Sequence, residues 1–457
     1  MTGPPPGAAP GAAPPVSARR RREIIDALRR GTVPVHGLDL LAVGTDRFAA
    51  ALDSELDTAA GGGSGFKAIR GEYGAGKTFL TRWLAERALR RGFAAAEVLV
   101  SERETPLHRL ETVYRRLAET LRTAPYPPSA LRPVLDGWLF TLESDASTPE
   151  GAGAVDQLLE RRLAAVSAHT PVFAQALRAY RAAVVAGDVA TADGLAAWLG
   201  GQPQVGAAVR RAAGVKGALD HFGAMGFLQG LLTVLRDSGH AGLVLVLDEV
   251  ETLQRVRGDV RDRALNALRQ LIDEVDSGRF PGLYLVVTGT PAFFDGPNGV
   301  RRLPPLAQRL ATDFDTDARF DNPRAVQVRL PGFDHRGLVE VGVRVRDLYA
   351  GSAAAPERVR ELVGDGYLAE LARAVAGGFG DRVGVAPRVF LKKLVGDVLV
   401  RVDQCPDFEP HCDYRLTLRP AELSPVERNA AGLAAPAASA PGAGPSADDV
   451  DIDLTDL

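Results

Sequence analysis

An α/β fold is what the sequence predicts, built on a parallel sheet with a long helical insertion and a C-terminal helical lid. Three observations carry that expectation. The first is Gly71-Glu72-Tyr73-Gly74-Ala75-Gly76-Lys77-Thr78: a glycine, four free positions, then Gly-Lys-Thr, set between a half-apolar run at 66–70 and helical spacing over 79–89. The second is a continuous apolar run at 243–247 that ends in Asp248-Glu249, the pattern of a strand covered on both faces. The third is the helical character of two long tracts, 106–240 and the region after Gly332. Together they specify the sheet of a P-loop NTPase.

The phosphate loop fixes the chemistry. Its glycines let the backbone turn tightly, so that successive N–H groups converge on phosphate oxygens. A helix beginning at Lys77 adds its positive end to the same spot. Gly71, Glu72, Tyr73, Gly74, Ala75, Gly76, Lys77, Thr78 and Phe79 are therefore the expected nucleotide contacts. Lys77 would reach the β- and γ-phosphates, and the Thr78 hydroxyl would ligate Mg²⁺, which makes ATP and Mg²⁺ the expected cofactors. The competing reading, a glycine-rich turn with an incidental lysine, does not account for the flanking strand and helix.

At 457 residues and 46% hydrophobic content, the chain is large enough for two domains with filled cores. The formal net charge of −3 supplies no global field for nucleic acid. Only five lysines stand among 54 basic residues, so abundant arginine is a compositional habit here and not a phosphate-binding signal. Cys405 and Cys412, with His411, fall short of four well-spaced zinc ligands, and two cysteines suit a reducing compartment. No apolar run has the length of a membrane span or the form of a signal peptide, so a cytoplasmic protein with no membrane partner is expected.

In chain order, residues 1–20 form a Pro/Gly/Arg tail expected to be disordered. The basic run Arg19 to Arg22 enters a helix that places Ile24, Ile25 and Leu28 on one face; a solvated helix start and a docking site for nucleic acid or an acidic partner both fit it. A helix over 44–58 follows, and residues 33–47 are the expected base pocket. The ATPase domain is expected over 21–335, with a strand at 95–101 and a helical insertion over 106–240 in which Trp138 and Trp198 are core residues. Asp248 would hold Mg²⁺ through water, and Glu249 would orient and deprotonate the attacking water. After a helix at 259–275 comes a strand at 283–287, with Thr288 preferred over Thr290 as the polar contact to the γ-phosphate or water because it ends the strand.

Arg309, or the pair Arg301-Arg302, is a candidate arginine finger acting on a neighbouring subunit. A last sheet strand is expected over 325–330. Residues 336–425 form the expected lid, with helices near 337–349, 356–375 and 387–402 and a strand over 415–418. Arg388 starts the last of those helices and is a candidate second sensor for the γ-phosphate. Residues 426–457 form an acidic tail expected to be disordered, with five aspartates between Asp448 and its end.

Phosphate loop, acidic second motif, sensor threonine and lid come in the order of AAA+-type ATPases, near the origin-recognition branch. More narrowly, Arg29-Arg30-Gly31-Thr32-Val33-Pro34, the Glu72-Tyr73 form of the phosphate loop, the stretch Glu104 to Tyr114, and Leu247-Asp248-Glu249-Val250-Glu251 resemble the BREX phage-defence ATP-binding family of BrxC- and BrxD-like proteins. The resemblance covers about residues 20–425. It implies an ATP-dependent component of a bacterial anti-phage system, with other BREX-type defence proteins as partners and DNA and further copies of the chain as candidate partners. It carries over Lys77 and Thr78 to phosphate and Mg²⁺, and Asp248 and Glu249 to Mg²⁺ and water. Two readings remain open at this point, an ATPase that remodels DNA or defence partners and a nucleotide-gated scaffold with little turnover; a DNA-binding accessory role through Arg19 to Arg22 is a third.

Overall fold

A strand with apolar side chains on both faces must lie inside a sheet, and β3 and β4 do. The computed structural model describes residues 16–146, 155–377 and 386–417. Within them, β1 (Gly65–Arg70), β2 (Ala94–Leu99), β3 (Leu243–Asp248), β4 (Leu283–Gly289) and β5 (Gln327–Arg329) form one sheet in the order β2-β3-β4-β1-β5. Every pairing is parallel, and every residue of β3 and β4 is buried. This is a P-loop NTPase-like α/β sheet. Its order inserts β4 between the strand that carries the phosphate loop and the strand that ends in acids, so whatever ends β4 stands between those two motifs.

Helices cover both faces, as parallel connections demand. Helix α1 (Ala18–Arg29) starts where Ser17 caps it, the Ser17 hydroxyl accepting from the Arg20 N–H at 3.2 Å. The chain is thus helical from Ala18, inside the stretch expected as tail. Helices α2 (Asp46–Ala60) and α3 (Lys77–Arg90) pack on one sheet face, where Phe48, Leu52, Trp83 and Leu84 meet Val244, Val246 and Val286. On the other face lies the insertion, made of α4 (Leu110–Thr120), α5 (Leu131–Ala146), α6 (Val155–His169), α7 (Pro171–Val185), α8 (Val189–Leu199), α9 (Ala207–Ala212) and α10 (His221–Asp237). Its core is held by Phe227, whose ring sits 5.6, 5.1 and 5.3 Å from those of Tyr114, Phe173 and Trp198. Edge-on aromatic contacts of this kind add about 0.5–1.5 kcal/mol each beyond area burial. Trp138 is buried as well, its indole N–H on Asp237 at 2.6 Å.

Beyond the insertion come α11 (Gly258–Asp276), α12 (Pro291–Asp295) and α13 (Pro304–Arg309). The lid region holds α14 (His335–Ala350), α15 (Pro356–Leu362), α16 (Asp365–Gly377) and α17 (Ala386–Lys393), which runs through a π-helical turn, Leu394–Leu399, into α18 (Val400–Gln404). The helix expected at 356–375 is divided because the chain breaks at Val363-Gly364. Arg415, Leu416 and Thr417 are irregular, with no strand; Leu418 lies outside the described residues, as do 1–15 and the acidic end.

Helix α1 joins the lid. Its Ile24, Ile25 and Leu28 are buried in one cluster with Leu338, Val341, Val345, Phe390, Leu394 and Val398. Burying side chains of this size is worth about 1.5–3 kcal/mol each. Residues from the beginning and the end of the chain therefore make one helical unit. Among the described residues no helix is long and apolar enough to cross a membrane.

Candidate functional site

The parallel register brings three motifs to one edge of the sheet. Arg70, the end of β1, is level with Gly289 of β4, and Asp248 of β3 is level with Leu99 of β2. The Gly71 N–H donates to the Gly289 carbonyl at 3.1 Å, which fastens the start of the phosphate loop to the end of β4. Gly76 sits at φ +94° just before α3, a left-handed conformation that only glycine adopts cheaply. It turns the chain so that Lys77 opens the helix. Lys77 is buried and its Nζ donates to the carbonyls of Gly71 at 2.9 Å and Glu72 at 3.2 Å, with the Tyr73 ring 5.2 Å away.

The Thr78 hydroxyl donates to Asp248 Oδ2 at 2.9 Å. The fully buried Thr288 hydroxyl donates to Asp248 Oδ1, and it accepts from the Glu249 N–H at 3.2 Å. Glu249 is held at φ +60°, ψ 44°, one of two described non-glycine residues with positive φ. Such a conformation costs on the order of 1–2 kcal/mol, and strain of this kind persists where surrounding contacts impose it. Here the N–H of Glu249 is shared between Asp248 Oδ1 at 3.1 Å and Thr288. Of the two threonines weighed from sequence, Thr288 contacts the acids, whereas Thr290 is buried at the start of α12 with no side-chain cap bond.

Desolvation, then the neighbouring Asp248 charge, raises the Glu249 carboxyl above the usual carboxylate range. Glu251, two residues on, is 3% exposed and stands 3.7 Å from Lys77 Nζ. Burial raises its carboxyl too, against the downward pull of Lys77. Tyr73 is shifted upward by burial and then by Glu251. The sequence reading placed Glu251 in the stretch Leu247 to Glu251 but gave it no role of its own.

These groups open into a cavity of about 270 Å³. Tyr73, Gly74, Gly76, Lys77, Thr78 and Phe79 line it, with Asp248, Glu249 and Glu251. Gly71 and Glu72 face a second hollow behind the loop, and Ala75 is buried beneath it. The opposite wall comes from Leu28, Gly31, Thr32, Val33, Pro34 and Leu41, and from Phe333, Val341, Pro387, Arg388 and Leu391. Of the expected base pocket at 33–47, the first part lines the cavity; Arg47 turns away to the Arg329 carbonyl at 2.7 Å. Gly31, at φ +73°, ends α1 as a left-handed cap, and a side chain there would come 3.3 Å from the Arg388 guanidinium. Phe79 touches the clusters of both the sheet face and the lid.

Arg309 does not line this cavity. It pairs with Asp276 at 3.0 Å and with Asp273 on α11, while Arg302 pairs with Asp262 and Arg301 faces the second hollow. Cys405 and Cys412 are exposed free thiols. No cluster of three or more His, Cys, Asp or Glu among the described residues could hold a metal on protein ligands alone. Mg²⁺ in a nucleotide site does not need one: it takes one or two oxygen ligands from the protein and the rest from phosphates and water. The Thr78 hydroxyl and the Asp248 carboxylate, 2.9 Å apart, are a donor set of that type.

Among curated proteins nothing matches the chain. Residues 16–418 match the family described as BREX system ATP-binding protein BrxC/D. That span takes in the sheet, the insertion, the lid and every residue lining the cavity, and the chain belongs to the BrxC/D family of BREX system ATP-binding proteins.

Proposed function

We propose that this protein binds ATP with Mg²⁺ in the cavity between sheet and lid and hydrolyses it, coupling nucleotide state to the assembly or remodelling of DNA or other BREX components. The observation that supports this most directly is the Thr78–Asp248 hydrogen bond beside Glu249, at the mouth of a glycine loop that ends in Lys77. In this reading Lys77 and the loop N–H groups neutralise the phosphates, Thr78 and Asp248 hold Mg²⁺ directly or through water, and Glu249 takes the proton of the attacking water. Thr288 keeps Asp248 and the Glu249 backbone in place. Arg388 reports the γ-phosphate to the lid, and Arg309 serves a neighbouring copy if the chain assembles.

Steady-state ATP turnover with and without duplex DNA, and particle mass in ATP and in ADP, test this reading. Turnover that depends on Glu249 and a mass that changes with nucleotide are expected; no uptake of any purine nucleotide with magnesium overturns it. One observation favours a second reading, a nucleotide-gated scaffold. The wall opposite the phosphate loop belongs to the helical unit of α1 and the lid, so nucleotide would bridge two packed bodies even without turnover. Slow hydrolysis, no effect of DNA, and partner binding that differs between ATP and ADP would select it.

A further inference from the structure

The acid that this chemistry does not use is Glu251. Its side chain lines the cavity, is almost wholly buried, and neither carboxylate oxygen has a donor from another described residue within hydrogen-bonding distance. The other two acids are provided for. Asp248 accepts from Thr78 and Thr288, and Glu249 keeps part of its side chain in solvent. The described cation that pairs with Glu251 is Lys77 at 3.7 Å, beyond hydrogen-bond range, and Lys77 gives two of its three donors to the carbonyls of Gly71 and Glu72. A buried carboxylate whose one close donor is its own backbone N–H is costly. Its effect on a ligand is plain: it sets a negative charge against the one ammonium that phosphates must reach.

We propose that Glu251 is a charge gate on the phosphate site, a positioning residue that restrains Lys77 and makes nucleotide binding conditional on a divalent cation. The inference rests on the nucleotide reading above and deepens it. Among the described residues, the charged side chains lining the cavity are Asp248, Glu249 and Glu251 against Lys77 and Arg388, so the described acids outnumber the described cations before any phosphate enters. A metal-free triphosphate meets that excess directly. With a divalent cation the phosphates arrive partly neutralised, and Lys77 leaves Glu251 for them at little electrostatic cost. Low polarity in the cavity wall sharpens the discrimination, because charges a few ångströms apart interact more strongly there than in water.

Fluorescent ATP-analogue titrations in EDTA and in excess MgCl₂ test the gate on the full chain. Glu251→Gln is expected to tighten metal-free binding by about tenfold or more while changing binding with magnesium much less. Glu251→Asp, which keeps the charge, is expected to retain the magnesium requirement. In a Lys77→Ala background the effect of Glu251→Gln should shrink, since the restraint acts through that lysine. Thermal melts check each variant, and Glu251→Ala replaces the glutamine variant if that one does not fold. A neutral variant whose metal-free and magnesium affinities keep the wild-type ratio overturns the gate while leaving the nucleotide site standing. Absence of binding by the wild type in both buffers would instead sink the nucleotide reading itself.

Discussion

The two walls of the cavity are built in opposite ways. The phosphate wall is local: Tyr73 to Phe79 is one short loop and helix start, and Asp248, Glu249 and Thr288 are brought to it by strand register. The facing wall draws on Leu28 and Val33 from the N-terminal segment and on Val341, Arg388 and Leu391 from the lid. What holds that second wall is the shared apolar core of α1 and the lid helices, joined by hydrogen bonds from Arg21 to the Gly351 carbonyl and from Arg344 to the Ala42 carbonyl. Chemistry that must be placed to a fraction of an ångström is thus carried on the sheet edge. The facing contacts are carried on packed helices.

The sharpest way to break the first wall is Lys77→Ala. Loss of a charge-assisted contact to phosphate should weaken ATP binding by about a hundredfold or more, close to 3 kcal/mol, measured by analogue titration in magnesium. Affinity within a few-fold of wild type would detach the phosphate loop from the site. Next in size is Glu249→Gln. It should lower turnover by about two orders of magnitude while ATP affinity holds, the worth of a positioned general base. The same residue sets a pH limb. Its carboxyl is raised by desolvation and by Asp248, and a base works only when deprotonated, so turnover should rise with pH through a value above the ordinary glutamate range. Rates measured from pH 5 to 8 check this; the limb must vanish in the glutamine variant.

This contrast also decides what was legible. The phosphate loop, the order of the sheet motifs and the acids at the end of β3 could be read because each is a short pattern whose chemistry needs neighbouring residues. Thr288 was expected to end its strand; it is the next-to-last residue of β4, and its hydroxyl meets Asp248. The lid wall was only partly so. Arg388 announced itself at a helix start, yet Phe333, Val341 and Leu391 look like ordinary apolar residues until the chain is folded. Helix α1 was the largest surprise: its apolar face, Ile24, Ile25 and Leu28, declares burial but not against what, and it buries against residues more than 300 positions away. Glu251 escaped because no spacing rule says that a third acid turns inward.

The lid wall can be sharpened by Arg388→Ala. An arginine at the cavity rim that meets the γ-phosphate should contribute about tenfold to the difference between ATP and ADP affinity, and little to ADP alone. Titrating both nucleotides against the variant gives that ratio. An equal loss for ATP and ADP would assign the side chain to the general packing over Gly31 instead of to the last phosphate.

The smallest effect concerns stability and carries a sign. The folded-state carboxyl of Glu251 is raised, with burial outweighing Lys77, so folding disfavours its ionised form. Whatever stability the protonated form contributes is present below the unfolded glutamate value, near 4.3, and is lost as pH rises through the folded one. Glu251→Gln should therefore be the more stable protein at neutral pH, by about 1 kcal/mol, because Lys77 keeps the Gly71 and Glu72 carbonyls as acceptors. Nucleotide-free melts at pH 7.5 and 4.5 measure it: the variant's midpoint should lie higher at 7.5, and the two curves should approach each other at 4.5. A difference that stays the same at both pH values would mean that the shape of the side chain, and not its charge, strains the phosphate wall.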